Sequence, residues 1–233
     1  VREKSAWEMV LSDKVDYVFH LAGHLDNYGT ETDFSKCIDI NVRSVALIFE
    51  VIVEKKLEIK KVLVASSQSA YGDSPLTERE THFPTPISLY GASKAAMEDI
   101  LVMLGSLYSV PVVAMRYSIV LGPGQKYKDS DSRILPAFVE MAKNGEIVTH
   151  EDGLQTRDFV NIHDLVDANL HLALSDFTGI INIGAGTKTS VQEVAEYIAE
   201  KFGVAVSQSG KKRINTARDQ IMSIDLLKRY GWE

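Results

Sequence analysis

Tyr90 and Lys94 stand four residues apart, and the hydroxyl pair Ser66-Ser67 ends 23 residues before the tyrosine. Side chains at i and i+4 share one face of a helix, so the Lys94 ammonium can lie beside the Tyr90 phenol. An ordinary tyrosine titrates at about 10 and is a poor base at neutral pH, but an adjacent cation favours its phenolate. A hydroxyl such as that of Ser67 could hold the substrate oxygen whose proton the tyrosine takes or returns. This trio can serve redox chemistry at a sugar or alcohol carbon. Taken alone, Tyr-x-x-x-Lys reads equally well as a solvated helix pair, so the elements around it decide.

Those elements are strands that end in small residues. Val62-Leu63-Val64-Ala65-Ser66-Ser67-Gln68-Ser69-Ala70-Tyr71-Gly72 is an apolar burst that opens into hydroxyls and a glycine. Tyr17-Val18-Phe19-His20-Leu21-Ala22-Gly23 and Val110-Pro111-Val112-Val113-Ala114-Met115-Arg116-Tyr117 read as two more buried strands. Ligands of open α/β sheets gather beyond the carboxyl ends of the strands, where these small residues fall. Between the strands the pattern predicts a long helix over 31–56, a strand over 61–66 and a helix from Leu89 to Tyr108. The loop 73–88, with Pro75, Pro84 and Pro86, is expected to cover the substrate. A further helix is expected near Ile134 to Lys143, and Ser190 with Glu193 three residues on reads as a helix N-cap. Strand and helix alternate as a doubly wound α/β sheet requires.

Six ordered motifs carry a resemblance. They are His20-Leu21-Ala22-Gly23, Asn41-Val42, Ser66-Ser67 through Tyr71-Gly72, Tyr90-Gly91-Ala92-Ser93-Lys94, Arg116-Tyr117 through Gly122-Pro123, and Gln155-Thr156-Arg157-Asp158-Phe159-Val160. Nearly the whole chain thereby resembles the extended short-chain dehydrogenases/reductases, in their NAD-dependent epimerase/dehydratase group acting on nucleotide sugars. The resemblance implies an α/β fold, a Rossmann-like doubly wound parallel sheet with a small α/β substrate-binding subdomain. It implies Ser67, Tyr90 and Lys94 as catalytic, with Ser67 also touching the substrate. Leu21, Ala22 and Gly23 would line NAD, and Asn41, Tyr90, Lys94, Tyr117 and Ser118 would lie toward its nicotinamide half. Gln155 and Arg157 would meet a nucleotide-sugar substrate, Arg157 clamping its diphosphate as a planar guanidinium can. Arg218 is a weaker candidate for a substrate phosphate, because its segment departs from the family's Arg-x-Gly-Asp pattern. The resemblance also allows a homodimer through two long helices of each subunit.

The expected division is residues 1–121 as a partial NAD-binding part with the catalytic trio and residues 122–233 as mainly substrate-binding, with 161–184 able to cross back to the main sheet. No glycine-rich phosphate turn precedes the Tyr17 strand, and Val1 to Leu11 already reads as a helix. The resemblance therefore implies a longer protein, with roughly 60 residues of sheet and helix before this point. For this chain alone, weak or absent NAD binding and an exposed sheet edge are the expectation.

Composition excludes several classes. With 25 Lys and Arg against 32 Asp and Glu, the net charge is −7 over 233 residues, which argues against a nucleic-acid or anionic-membrane partner. The apolar stretches are strand-sized, so no membrane span is expected. The one cysteine, Cys37, fits a reducing, cytoplasmic setting and reads as a structural thiol. No metal site is expected, and His20, between Phe19 and Leu21, reads as a packed structural histidine.

Residues after Ser67 bear on the reaction. Dehydratases of the group carry Asp-Glu there, whereas this chain has Gln68-Ser69, which disfavours elimination of water. Ile119 stands where many relatives have an asparagine that contacts the sugar nucleotide. Three readings stay open: NAD-dependent epimerisation of a nucleotide sugar through a keto intermediate, an NAD(P)H-dependent carbonyl reductase, and a non-catalytic truncated paralogue. The first is favoured, because a small neutral ketone would need no Arg157.

Overall fold

A computed structural model of the chain describes residues 1–25, 34–74, 76–125, 134–211 and 217–232. Pro75 and the expected helix start at 31–33 lie outside these residues.

The first half runs through helix α1 (Lys4–Val10), strand β1 (Tyr17–His20), helix α2 (Phe34–Ile38), a π-helical turn (Asp39–Arg43) and helix α3 (Ser44–Lys55). Strand β2 (Lys61–Ser67), a 3₁₀ turn (Gln68–Ala70), helix α4 (Leu89–Tyr108) and strand β3 (Val112–Tyr117) follow. The second half holds β4 (Ile119–Leu121), α5 (Ile134–Lys143), β5 (Glu146–Thr149), β6 (Thr156–Arg157), β7 (Phe159–Asn161), α6 (Ile162–Leu174) and β8 (Gly179–Ile183). It ends in β9 (Thr189–Ser190), α7 (Val191–Phe202), β10 (Ala205–Gln208), β11 (Asp219–Gln220) and α8 (Asp225–Arg229).

The main sheet is parallel throughout, in the order β1-β2-β3-β8. Every residue of β2 is buried, as expected of a parallel strand covered by helices on both faces. Strand side chains alternate between faces, so Val62 and Val64 join a layer with Val45, Ile48, Phe49, Ile52, Met97 and Leu101 of α3 and α4. Leu63, with Val113, Met115 and Ile181, joins the opposite layer, against Leu165, Ala168 and Leu172 of α6. Burying one such side chain contributes about 1.5–3 kcal/mol, so the first layer fixes α3 and α4 over one face of the sheet and the second fixes α6 over the other.

Gly105 lets α4 settle directly on β3, since a Cβ there would come within 2.7 Å of both Val112 methyls. The helix starts where Ser88 Oγ accepts the Gly91 N–H at 3.1 Å and stops at Ser109, whose φ of 55° is left-handed. Lys61 anchors the far layer: its buried Nζ donates to the Leu172 and Ser175 carbonyls at 2.8 and 2.5 Å, at the C-terminal end of α6.

The second half builds its own core from Phe138 and Ala142 of α5, Ile147 of β5 and Ala195, Ile198 and Ala199 of α7. Small sheets surround it: β5 with β10, and β6 between β9 and β11. α6 and β8 pack on and pair into the main sheet. Phe19 on β1 is 37% exposed, and among the described residues no strand pairs with the outer edge of β1.

The expected helix over 31–56 is, in its described part, two α-segments joined by the π turn. The sequence pattern does not show that turn, within which Asn41 makes the hydrogen bonds described below.

Candidate functional site

A cleft of about 530 Å³ opens at the carboxyl ends of β1, β2 and β3, between the main sheet and the second half. Leu21 and Gly23 lie after β1, Ser67 and Gln68 at the end of β2, Tyr90 and Lys94 on the first turns of α4, and Tyr117 and Ser118 after β3; all line the cleft. Gln155 and Arg157 line it from the second half, together with Phe138, Met141, His150 and Gln220. Ala22, Asn41 and Arg218 are not among the lining residues.

Lys94 is 3% exposed. Its Nζ donates to the Ala65 carbonyl at 2.7 Å and sits 5.7 Å from the Tyr90 ring centroid. Burial pushes the ammonium down to about 8, against smaller opposing pulls from Cys37 of α2 and from Glu98, one turn further along α4. The lysine therefore stands as a cation at neutral pH that gives up its proton far more readily than a surface lysine.

Ser67 Oγ accepts the Ser69 N–H at 3.1 Å and thereby caps the 3₁₀ turn that ends β2. Gly91 lets this turn approach α4, because a Cβ there would stand 2.3 Å from the Ser69 carbonyl oxygen. Ser67 and Tyr90 thus face one cleft because a glycine beside the tyrosine admits the strand end.

Asn41 sits inside the π turn, a feature often found at functional sites. It accepts the His24 N–H at 2.7 Å and donates to the His24 carbonyl at 2.8 Å and to Ser93 Oγ at 2.9 Å. Ser93 Oγ in turn donates to the Tyr90 carbonyl at 2.7 Å. Asn41 therefore ties the segment after β1 to the first turn of α4, and Gly23 is brought so close that an added Cβ would lie 3.2 Å from Lys94 Nζ.

Tyr117 donates to Asn169 of α6 at 3.0 Å, and burial pushes its phenol up, so it stays protonated. Among the described residues the buried Ser118 Oγ has no hydrogen-bond partner, nor does the Oε1 of Gln68 after the end of β2.

Arg157 turns its guanidinium onto main-chain carbonyls. It donates to Thr156 and Arg218 from Nη1 at 2.7 and 3.1 Å and to Ala217 from Nη2 at 2.9 Å. Arg218 pairs bidentately with Asp152, at 2.9 and 2.8 Å, on the outer side of the second half. Asp158, next to Arg157, is fully buried and accepts the N–H groups of Ala185 and Gly186 at 2.9 and 3.1 Å. The Gly184-Ala185-Gly186 turn is thus wrapped around a carboxylate of this chain.

His20 packs edge-on against Trp7 at 5.3 Å and reaches Ser44 Oγ at 2.7 Å. Because Ser44 Oγ already donates to the Ile40 carbonyl at 2.7 Å, the imidazole must carry its proton on Nε2 and donate. Burial, with the Lys94 charge adding to it, pushes the ring down to about 4, so it is neutral at physiological pH.

Comparisons with known proteins bear on the family and the fold. The model of the NAD dependent epimerase/dehydratase family matches residues 1–184, and the chain belongs to that family. A Methanocaldococcus jannaschii protein provisionally named a UDP-glucose 4-epimerase is 34% identical over 87% of this chain and 66% of its own length. The dTDP-D-glucose 4,6-dehydratase of Homo sapiens is 30% identical over 85% of this chain and 56% of its own. The chain thus spans less than two thirds of the length of either relative. A crystal structure of Thermus thermophilus UDP-glucose 4-epimerase in complex with NAD superposes with a TM-score of 0.87 at 27% identity, covering all of this chain and 77% of that one. The four parallel strands are the Rossmann-like sheet of these enzymes. Among the described residues no helix is long and apolar enough to cross a membrane.

Proposed function

We propose that this chain carries the catalytic trio of an enzyme that epimerises a nucleotide-activated sugar with NAD as its redox group. The observation that carries the reading is the buried Lys94 ammonium 5.7 Å from the Tyr90 ring at the floor of the cleft. Ser67 holds the reacting hydroxyl of the sugar, Tyr90 takes its proton, and Lys94 stabilises the phenolate that does so. The same phenol returns a proton when the keto sugar is reduced on its other face. NAD, when bound, accepts the hydride from the sugar carbon and gives it back.

Leu21, Ala22, Gly23, Asn41, Tyr90, Lys94, Tyr117 and Ser118 are the residues that would hold it. Two features of the cleft support that fit. Ser118 Oγ has hydrogen-bonding capacity that no described residue uses, and Gly23 leaves open the space beside Lys94 that a side chain would fill. Gln155 and Arg157 are assigned to the nucleotide end, while Arg218, committed to Asp152, is assigned no contact there.

Gln68 supports epimerisation over elimination of water, since a carboxamide cannot act as the acid or base that elimination needs. We divide the chain by role into 1–121 for the cofactor and trio and 122–233 chiefly for the substrate, with 161–184 serving the main sheet. Exposed Val102, Met103 and Leu107 on α4 support a homodimer through the long helices.

The test is Tyr90→Phe in the full-length protein, with interconversion of UDP- and dTDP-hexoses followed chromatographically. Turnover is expected to fall by about 10³-fold while the melting curve stays in place. Undiminished turnover overturns the reading.

A further inference from the structure

Beneath the cleft lies a buried ion pair that the trio itself does not explain. Glu98, on α4, and Arg116, on the central strand β3, are each 1% exposed. Arg116 donates from Nε to Glu98 Oε1 at 2.9 Å and from Nη2 to Oε2 at 2.6 Å, and Ser66 Oγ donates to the same carboxylate. The guanidinium lies 4.3 Å from the Tyr71 ring centroid. Tyr71 donates to Asn182 Oδ1 at 2.7 Å, and Asn182 Nδ2 reaches the carbonyls of Glu78 and Ser223 at 3.2 and 3.1 Å. Stability does not account for such a pair, because well-packed apolar residues in place of a buried ion pair are often as stable or more so.

Position does. Glu98 follows Lys94 by one turn on the same helix face, and Ser66 immediately precedes Ser67. Several groups face the Lys94 ammonium. They are Tyr90 on its own helix, Cys37 of α2, Asn41 of the π turn, His20 of β1, the Ala65 carbonyl of β2 and Glu98. Among the described residues Glu98 is the carboxylate in this set.

We propose that Glu98 and Arg116 are a positioning pair for the trio: Glu98 keeps Lys94 charged and, through Ser66, fixes the strand end that presents Ser67, while Arg116 balances Glu98 and clamps it. The proposal rests on the reading of Tyr90 and Lys94 as the acid–base pair. Its sharpest consequence is that the two partners act on Lys94 with opposite sign. Removing the Glu98 charge takes away its pull on the ammonium and leaves an uncompensated guanidinium beneath the site, which makes the ammonium easier to deprotonate. Removing the Arg116 charge leaves a bare carboxylate beside it and makes deprotonation harder.

The experiment reads Lys94 directly, by NMR titration of protein labelled at lysine Cε, assigned with Lys94→Met. Glu98→Gln is expected to move the Lys94 midpoint down by about one pH unit and Arg116→Gln to move it up by about as much, with the double variant returning close to the parent. Shifts in the same direction, or none, overturn the proposal. Ser66→Ala deletes only a hydroxyl and covers the case in which the single charge variants fail to fold. It is expected to lower kcat by about tenfold with KM and the Lys94 midpoint unchanged, and an unaltered kcat overturns the positioning role. The two readings fail separately. Coincident titrations together with an inactive Tyr90→Phe sink the pair and leave the function. Divergent titrations in a protein whose Tyr90→Phe turns over normally sink the function and leave the pair.

Discussion

Replacing Lys94 with methionine should make the protein more tolerant of neutral pH and less tolerant of high pH, relative to the parent. An ordinary lysine titrates at 10.5, whereas burial holds this one at about 8. The unfolded chain therefore binds the proton more tightly than the folded one, and folding at neutral pH carries the cost of keeping a cation out of water. At pH 7 that cost is about 3 kcal/mol, from the free-energy equivalent of the two midpoints. As pH rises from about 8 toward 10.5 the folded lysine is already neutral while the unfolded one is still charged, so the cost fades to about 1 kcal/mol at pH 10. Methionine fills a similar volume and removes this cost, but it also strips the Ala65 carbonyl of its donor, a loss of about 1–3 kcal/mol at either pH. The net effect at pH 7 is therefore neutral to stabilising by about 2 kcal/mol, and at pH 10 destabilising by up to about 2 kcal/mol. The shift between the two, about 2.5 kcal/mol, does not depend on the hydrogen bond. Urea unfolding of both proteins at pH 7 and pH 10, followed by circular dichroism, measures it. A Lys94→Met variant destabilised equally at both pH values would show that Lys94 carries no desolvation cost, and the account of its role would fail with it.

Two further outcomes follow from the same structure. His20, held neutral at about 4 by burial, should cost stability as pH falls from about 6.5 toward 4, because the unfolded ring protonates first; His20→Gln, which keeps a donor for Ser44, should flatten this part of the acid-unfolding profile by up to about 3 kcal/mol, read from stability at pH 7 and pH 4.5. Gly91→Ala drives a methyl group into the Ser69 carbonyl, so the 3₁₀ turn must shift away from α4; a loss of about 1–3 kcal/mol and a drop in kcat larger than any change in KM are expected, by thermal melts and steady-state kinetics on the full-length protein.

The sequence showed the scaffold well where local chemistry dictates it. Both ends of α4 are legible: Ser88 at the start is an N-cap type, and the apolar pattern stops at Tyr108. The Ser190 and Glu193 capping box forms as the pattern implies, with reciprocal bonds of 2.6 and 3.1 Å. What was not legible depends on partners distant in the chain. Nothing in the order of residues says that Arg157 spends its donors on the carbonyls of Ala217 and Arg218, or that Arg218 turns away to Asp152. Glu98 is an intermediate case. An acidic residue four positions after a buried lysine is visible, as is an arginine ending a valine-rich strand, but their pairing across α4 and β3 needs the fold.

The same contrast shows where this protein keeps its capacity for ligands. Most polar groups around the trio are committed internally: Asn41 to His24 and Ser93, Ser67 to Ser69, Tyr117 to Asn169, Asp158 to the turn at Ala185 and Gly186. Such commitments make a rigid wall, since each donor or acceptor left unpaired in a dry interior costs about 1–3 kcal/mol. Gln68 and Ser118 break the rule. Ser67 and Tyr117 are register partners of β2 and β3, and the residue after each lines the cleft and carries a buried polar atom without a partner among the described residues. Among the described residues these two buried atoms, like Nη1 of Arg116 beneath the trio, have no hydrogen-bond partner, and both residues line the cleft, where a molecule that reaches them regains that free energy by pairing.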